Sequence, residues 1–313
     1  MQEHRPASAY QNTKPSVITI GTFDGVHIGH KAILKKLVTS AEKEGLESVL
    51  LTFFPHPRMV LQKDAEIKLL NTLSEKKALL EKTGLDHLVI HPFTKQFSRM
   101  TAVEYVRDLL VNKLHAKKII IGYDHRFGRN RTANIVDLKE MGTTYGFDVE
   151  EISVQELDDV AVSSTKIRTA LQEGDVETAN NYLGYPYMIT GTVVKGKGIG
   201  TTWNYPTANL QPSETYKLIP KNGVYITQTE INNTLKYGIT SIGTNPTVGG
   251  TSRTIETFFL DTQANLYDQP LQLEFLKFIR EEETFETVEK LKGAIKSDEK
   301  VARTFIATLN EKK

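Results

Sequence analysis

Residues Val17 to Leu34 read VITIGTFDGVHIGHKAIL, and this stretch predicts the first elements of the fold. The first four residues are β-branched and mostly apolar, which predicts a buried strand. Glycines and an aspartate then break the pattern, and from about His30 the apolar residues recur at helical spacing. The stretch therefore predicts a strand, a glycine-rich turn and a helix.

Two histidines, His27 and His30, stand where this helix begins. A helix N-terminus carries free N–H groups and a partial positive charge, which suits a phosphate group. Imidazoles there donate hydrogen bonds to phosphate oxygens and stabilise charge that develops during phosphoryl chemistry. A plain turn with surface histidines is the alternative, but His-x-Gly-His directly after Gly-Thr-Phe-Asp-Gly favours a functional site. The stretch matches neither a P-loop nor the Gly-x-Gly-x-x-Gly fingerprint.

Composition limits the class of protein. The chain has 313 residues, a formal net charge of +1 and no cysteine. The length suggests two domains, the charge argues against nucleic-acid or membrane partners, and the lack of cysteine excludes disulfides and thiolate zinc sites. The polar N-terminus shows no secretory signal, and no run reaches the roughly 18 apolar residues of a membrane span. We expect a cytoplasmic protein that is a monomer or a weak homo-oligomer.

The first half alternates predicted strands with helices, which is typical of an α/β domain with a doubly wound parallel sheet. Further strands are predicted at 48–53, 87–91, 118–121 and 147–154, and helices at 72–82, 101–114 and 134–141. The second of these helices opens with a capping box formed by Thr101 and Glu104. Because ligands of such sheets bind beyond the carboxyl ends of the strands, we expect the loops there to carry the site.

Three of these loops carry suitable side chains. Pro55 and His56 follow the second strand, where a rigid proline turn is the simpler interpretation. Residues 122–131 read GYDHRFGRNR and combine arginines, which bind phosphates, with aromatic rings, which stack on planar groups. A solvated basic loop is the alternative there. Residues 162–168 read VSSTKIR, and cations near a helix N-terminus are unfavourable unless an anion is bound.

The pattern changes after Gly184. Short β segments are predicted at 188–195, 223–230, 237–242, 254–260 and 271–279, with a hairpin turn at Asn232-Asn233. Successive strands without helices predict an antiparallel sheet or a small barrel. Two helices are expected to close the chain, at 285–295 and 299–309, with Asp298 as the N-cap of the last. We therefore expect domains at residues 1–184 and 185–313.

The second half has its own candidate chemistry. Alternating glycines at Gly196 and Gly198 let a backbone approach phosphates, although a flexible hairpin is the default interpretation. Thr207 and Asn209 offer a hydroxyl and an amide to hydrated Mg²⁺. Glu256 lies within an apolar, β-rich run, where it is either an ordinary outward-facing residue or a general base in a dry site.

These motifs resemble two enzyme families in one order. The segment GTFDGVHIGH resembles the nucleotidyltransferase domain of bacterial FAD synthetases, and segments at 196–209, 222–225, 242–247 and 255–256 resemble riboflavin kinase. The order is similar to that of bacterial bifunctional riboflavin kinase/FAD synthetases, from Val17 to about Arg303. The resemblance implies a first domain that makes FAD and pyrophosphate from FMN and ATP, and a β-barrel domain that makes FMN and ADP from riboflavin and ATP. Both reactions would need Mg²⁺, and the partners would be these small-molecule substrates, with no nucleic acid and no membrane.

The resemblance also implies roles for single residues. His27 and His30 would stabilise the ATP phosphates during adenylyl transfer, and Glu256 would deprotonate the 5′-hydroxyl of riboflavin. Metal and ATP in the second domain would be handled by Thr207 and Asn209. Nucleotide and phosphate contacts would come from Gly21, Phe23, Asp24, Gly25, Ser163, Ser164, Thr165, Arg168, Gly196 and Gly198. Flavin contacts would come from Pro55, His56, Asp124, Arg126 and Phe127.

The glycine loop of the second domain departs from the family pattern. The family usually carries arginines there, where this chain has Ile199 and Thr201. The loss of two guanidinium groups removes charge that neutralises phosphate. An FAD synthetase with a degenerate kinase domain is therefore an alternative hypothesis. A flavin-binding regulatory protein is another, of a different class.

Overall fold

The structure, a computed structural model, describes residues 1–62, 66–122, 125–152, 162–196, 205–247, 250–262 and 265–311. The chain divides into two compact units. The first comprises Met1–Leu69 and Leu73–Ser163, and the second comprises Leu70–Thr72 and Ser164–Lys313. In the described part of the chain, no helix is both long enough and apolar enough to cross a membrane.

A six-stranded parallel sheet forms the centre of the first unit. Its strands are β1 (Gln2–His4), β2 (Ser16–Ile20), β3 (Glu47–Phe53), β4 (His87–His91), β5 (Ala116–Gly122) and β6 (Asp148–Ile152). They are ordered β1-β4-β3-β2-β5-β6, so β2 lies between β3 and β5. The direction of winding reverses between β2 and β5, and doubly wound sheets bind their ligands beyond the carboxyl ends of the strands at such a point.

Helices cover both faces of this sheet. They are α1 (Ile28–Glu44), α2 (Pro57–Leu61), α3 (Leu73–Glu81), α4 (Ala102–Glu104) and α5 (Ile135–Tyr145), and α4 continues as a π-helical segment over Tyr105–Val111. Alternate residues of β2 enter different cores, because Ile18 packs with residues of the π-helical segment and Val17 packs with residues of α1 and α3. The predicted doubly wound sheet is confirmed. The capping box of Thr101 and Glu104 is present with both of its hydrogen bonds.

The second unit is built on a closed antiparallel barrel. Its strands are β7 (Tyr187–Val194), β8 (Thr207–Pro212), β9 (Gly223–Ile231), β10 (Thr234–Thr247), β11 (Gly250–Phe259) and β12 (Pro270–Arg280). The helices of this unit are α6 (Ser164–Glu173), α7 (Val176–Leu183) and α8 (Val288–Glu311). Asn232 and Asn233 both have positive φ, +51° and +58°, as a tight hairpin turn between β9 and β10 requires.

The end of the chain differs from the prediction. One continuous helix, α8, replaces the two helices expected there, and Asp298 lies inside it rather than at its N-cap. The Asp298 carboxylate is buried and accepts hydrogen bonds from Arg280, with 2.9 Å between Nη2 and Oδ2. The polar stretch around Asp298 resembles a helix break in the sequence. In the structure it connects the helix to β12, because Asp298 pairs with Arg280, which is distant in sequence.

Candidate active sites

The turn after β2 places the two histidines. Strand β2 lies between β3 and β5, and all five of its residues are buried. The start of the turn that follows is therefore held in a fixed position. Three residues of the turn have positive φ: Phe23 at +46°, Gly25 at +88° and Val26 at +34°. A left-handed conformation is costly for a bulky residue and persists only where the surroundings enforce it, which is typical of functional sites. Asp24, also in this turn, is 1% exposed.

His27 and His30 form a stacked pair at the start of α1. His27 is the N-cap, and its Nδ1 accepts the backbone N–H of His30 at 3.3 Å. The two ring centroids are 3.6 Å apart with 17° between the planes, and the Phe23 ring stacks on His30 at 4.6 Å. Since Nδ1 of His27 accepts a hydrogen bond, the proton of the neutral ring lies on Nε2, from which it can be donated.

Burial keeps both imidazoles neutral. It lowers the pKa of His27 to about 4, and the charge of Asp24 opposes that effect. It lowers the pKa of His30 well below the usual value, and His27 and Lys76 add to that effect. In the described part of the chain, the buried Nδ1 of His30 has no hydrogen-bond partner. Buried polar atoms are nearly always paired, so this one needs a ligand or water to explain it.

Two further loops lie at the same edge of the sheet, on the strands that flank β2. Pro55 and His56 follow β3, where His56 caps the short α2 by accepting the N–H of Arg58 at 3.2 Å. After β5, Arg126 is exposed, whereas Phe127 is 6% exposed and packs in the core. Asp124 lies outside the described residues. The fold thus brings these predicted segments to one edge, beside the histidine turn.

An aromatic cluster that the sequence analysis did not identify lies along this edge. Phe53, at the end of β3, is 5.5 Å from Phe97, which is 6.1 Å from Tyr105, which is 5.8 Å from Phe127, all between ring centroids. The sequence carried little signal for it, since Phe53 ends a predicted strand and Tyr105 lies within a predicted helix. Core packing alone gives the same pattern.

The predicted phosphate contacts of the VSSTKIR segment are divided along the chain between the two units. Ser163 ends the first unit, and Ser164, Thr165 and Arg168 lie in α6 of the second. Thr165 is exposed, while Ser163, Ser164 and Arg168 are half-buried. Buried Ile167 anchors this first turn of the helix.

In the barrel, three predicted residues come together across two strands. Asn209 on β8 pairs directly with Glu256 on β11, so both side chains lie on the same face. The Thr207 hydroxyl donates to Glu256, with 3.4 Å between Oγ1 and Oε2. Gly196 approaches so closely that a Cβ there would overlap the Asn209 amide. Gly198, Ile199 and Thr201 lie outside the described residues.

Two family models match separate parts of the chain. Residues 9–166 match the family described as FAD synthetase, and residues 183–306 match the family described as riboflavin kinase. The chain is 36% identical over 297 residues to the bifunctional riboflavin kinase/FMN adenylyltransferase of Listeria monocytogenes, with 94% of each chain covered. It is 35% identical over 290 residues to the enzyme of the same name from Escherichia coli, with 92% of each covered.

A solved structure shares the fold. The crystal structure described as a macrolide-efflux protein from Streptococcus pneumoniae has a TM-score of 0.88 and 29% sequence identity to this chain. The similarity covers 96% of this chain and 98% of that one. Both the parallel-sheet unit and the barrel unit therefore have a counterpart in a single known chain.

Proposed function

The chain belongs to the family of bifunctional riboflavin kinase/FMN adenylyltransferases, and we propose that each of its two units carries one of the two activities. The parallel-sheet unit transfers the adenylyl group of ATP to FMN, which gives FAD and pyrophosphate. The barrel unit transfers a phosphoryl group of ATP to riboflavin, which gives FMN and ADP. The proposed boundary between residues 184 and 185 separates the two activities, although α6 and α7 belong to the same compact unit as the barrel.

The observation that carries the first assignment is the neutral, stacked histidine pair at the N-terminus of α1. In adenylyl transfer, an oxygen of the FMN phosphate attacks the α-phosphorus of ATP, and the bond to pyrophosphate breaks. No covalent enzyme intermediate is needed, so positioning and charge stabilisation account for the catalysis. The Nε2–H of His27, the ring of His30 and the free N–H groups of the helix terminus supply donors for the phosphate oxygens. The unpaired Nδ1 of His30 supports a ligand at this place.

The other predicted contacts divide by their position. Gly21, Phe23, Asp24 and Gly25 belong to the histidine turn and are proposed to hold the nucleotide. Ser163, Ser164, Thr165 and Arg168 are proposed to contact phosphate. Pro55, His56, Asp124, Arg126 and Phe127 are proposed for the flavin. Exposed Arg126 suits a phosphate group, and the packing of buried Phe127 against Tyr105 supports a role of its ring in shaping the flavin site.

The second assignment depends on the Thr207, Asn209 and Glu256 group. Glu256 accepts the proton of the riboflavin 5′-hydroxyl, whose oxygen attacks the γ-phosphorus of ATP while ADP leaves. A carboxylate that is half-buried and receives a hydroxyl hydrogen bond is held in one orientation, which a general base requires. The backbone of Gly196 lies beside the Asn209 amide, which supports a phosphate contact at this glycine.

Mg²⁺ is proposed for this site because its donors are hard oxygens. The hydroxyl of Thr207 and the amide oxygen of Asn209 would hold the ion, which when bound neutralises charge on the ATP phosphates. Among the described residues there is no cluster of three His, Asp or Glu side chains that could bind a metal alone. The remaining ligands would therefore come from phosphates and water, as is usual for Mg²⁺.

A turnover assay tests the proposal. The full chain is incubated with riboflavin, ATP and Mg²⁺, and then with FMN in place of riboflavin, and the flavins are separated by chromatography. We expect FMN and then FAD from riboflavin, and FAD from FMN. Formation of FAD only from FMN would favour the degenerate-kinase alternative. Flavin binding without any turnover would favour a regulatory protein.

A further inference from the structure

Lys76, on α3, is buried in the first unit, although lysine side chains are almost never fully buried. The residue is 5% exposed, and its ammonium donates to the Thr22 carbonyl with 2.7 Å between Nζ and O. Burial lowers the pKa of Lys76, and nearby Asp24 opposes that effect. Its neighbour Lys77 has a 40% exposed side chain and pairs with Glu3. Burying a cation is costly, so its retention in one of two adjacent lysines calls for an explanation.

The carbonyl that Lys76 holds belongs to the histidine turn. Thr22 immediately precedes Phe23, whose φ of +46° is strained, and the Thr22 carbonyl also accepts the Thr52 hydroxyl at 3.3 Å. Donors from α3 and from β3 therefore fix the same peptide. Phe23 in turn stacks on His30, and His30 stacks on His27. A continuous series of contacts runs from the ammonium to both imidazoles.

The charge of Lys76 also affects the histidine pair. It contributes to the lowered pKa of His30, so it lies close enough to affect that ring. In the part of the chain that the structure describes, the Thr22 carbonyl is the ammonium's one hydrogen-bond acceptor, although the group has three donors. A buried cation with donors to spare adds positive potential behind a site that handles phosphate.

We propose that Lys76 is a positioning residue for adenylyl transfer. Its ammonium fixes the Thr22 peptide, and through Phe23 the stacked histidines, and it adds positive charge behind them. The inference rests on the proposed function of the histidine turn.

Substitution in the full chain separates this role from a structural one. In Lys76→Met, which keeps length but removes charge, we expect kcat for FAD formation from FMN to fall at least about tenfold, because charge-stabilising groups commonly contribute 10²–10³. The KM for FMN should change by less than about threefold, since flavin binding is proposed to use other loops. Riboflavin phosphorylation by the barrel unit should be unchanged. The matched control is Lys77→Met, which should retain both rates.

Chemical rescue tests the charge itself. The chain has no cysteine, so Lys76→Cys carries a single thiol. Alkylation with 2-bromoethylamine in denaturant, followed by refolding, restores an ammonium, whereas iodoacetamide adds a neutral amide of similar size. We expect the aminoethylated protein to recover most of kcat and the amide adduct to recover little.

Three outcomes would overturn the inference. They are full kcat in folded Lys76→Met, equal recovery by the two adducts, and loss of riboflavin phosphorylation together with FAD formation, which would make Lys76 merely structural. A parallel His30→Ala protein distinguishes the two levels of the argument. If it also keeps full FAD formation, the proposed function of the turn fails as well.

Discussion

The backbone N–H of His30 donates to Nδ1 of His27 at 3.3 Å, and the two imidazole planes stack with their centroids 3.6 Å apart. One histidine thus caps the helix and holds the second histidine in a stacked position. The i, i+3 spacing is what allows it, because the N-cap side chain meets the N–H of the third helical residue. A surface pair of histidines at this spacing would have neither the contact with Phe23 nor the burial.

The burial of His27 predicts a pH dependence of stability. Its folded-state pKa is about 4, below the usual 6.5, so the unfolded chain binds more protons between these values. The free energy of unfolding therefore rises with pH through this window and falls as pH falls below 6.5. Between pH 7 and 4.5 we expect His27 to account for a loss of about 2–3 kcal/mol. Hydrogen exchange of the β2 amides measures this for the first unit alone.

The control for this measurement is a histidine at the other end of the sheet. His27→Gln should reduce the pH slope, leaving the contribution of buried His30, whereas His115→Asn, just before β5, should retain the full slope. An unchanged slope in His27→Gln would show that another group is responsible.

Gly29→Ala should lower the rate of adenylyl transfer without lowering stability. A Cβ at Gly29 would lie 3.3 Å from Cε1 and Nδ1 of His27, so the ring must shift by a few tenths of an ångström. Alanine favours a helix over glycine by roughly 0.5–1 kcal/mol, which offsets the crowding. We expect about a tenfold lower kcat for FAD formation with an unchanged melting temperature. Gly293→Ala in α8 is the matched control, since nothing lies within 4 Å of its Cβ, and it should raise stability and keep both activities.

The closing helix should depend on the buried pair of Asp298 and Arg280. Asp298→Asn weakens charge-assisted hydrogen bonds at 2.9 and 3.0 Å, for an expected loss of about 1.5–3 kcal/mol in urea unfolding. Asp261→Asn is the control, because Asp261 forms a similar pair with Arg303 in an exposed position. Exposed pairs contribute about 0–1 kcal/mol. Equal losses in the two variants would contradict this account of α8.

Helices α6 and α7 should be needed for a stable barrel fragment. The Asn180 side chain of α7 donates to the Phe275 carbonyl at 2.8 Å and accepts the N–H of Tyr187 at 2.6 Å. We expect a fragment of residues 164–313 to melt cooperatively and one of residues 187–313 to melt at a lower temperature or not fold. Calorimetry on both fragments measures this. Identical melting would mean that the two helices are not part of the barrel's folding unit.

The sequence predicted elements best where local pattern and tertiary environment agree. His87–His91 was predicted to the residue, and the central strand nearly so, because both are apolar and buried on both faces. The edge strand Gln2–His4 was missed because it carries no apolar run. It is a strand only through its pairing with β4, which is distant in sequence. Strand β8 was missed for a similar reason. Its residues Thr207 and Asn209 attracted attention as ligands, and only the register with β11 shows that they lie on a strand.

The candidate sites were predictable as motifs but not as contacts. The histidine spacing and Glu256 were visible in the sequence, whereas the stacking with Phe23 and the hydroxyl bond from Thr207 depend on the fold. Lys76 could not be found from the sequence, because a lysine in a helix is ordinarily solvated. The structure places Phe127 in the core, which the sequence did not indicate, and its contact with a flavin stays a prediction.

A complementation assay tests the central claim, that two separate sites perform two consecutive reactions. His30→Ala should convert riboflavin to FMN and stop there, because the histidine turn lies in the first unit alone. Glu256→Gln should convert FMN to FAD but leave riboflavin unchanged, because an amide cannot accept the hydroxyl proton. His115→Asn and Glu230→Gln serve as folded controls for the two units.

The decisive measurement is FAD formation by a mixture of the two variants supplied with riboflavin, ATP and Mg²⁺. The account predicts that the mixture makes FAD, since FMN released by one protein is used by the other, whereas neither variant does so alone. If each variant, shown to be folded, has lost both reactions and the mixture makes no FAD, the two-site account is contradicted.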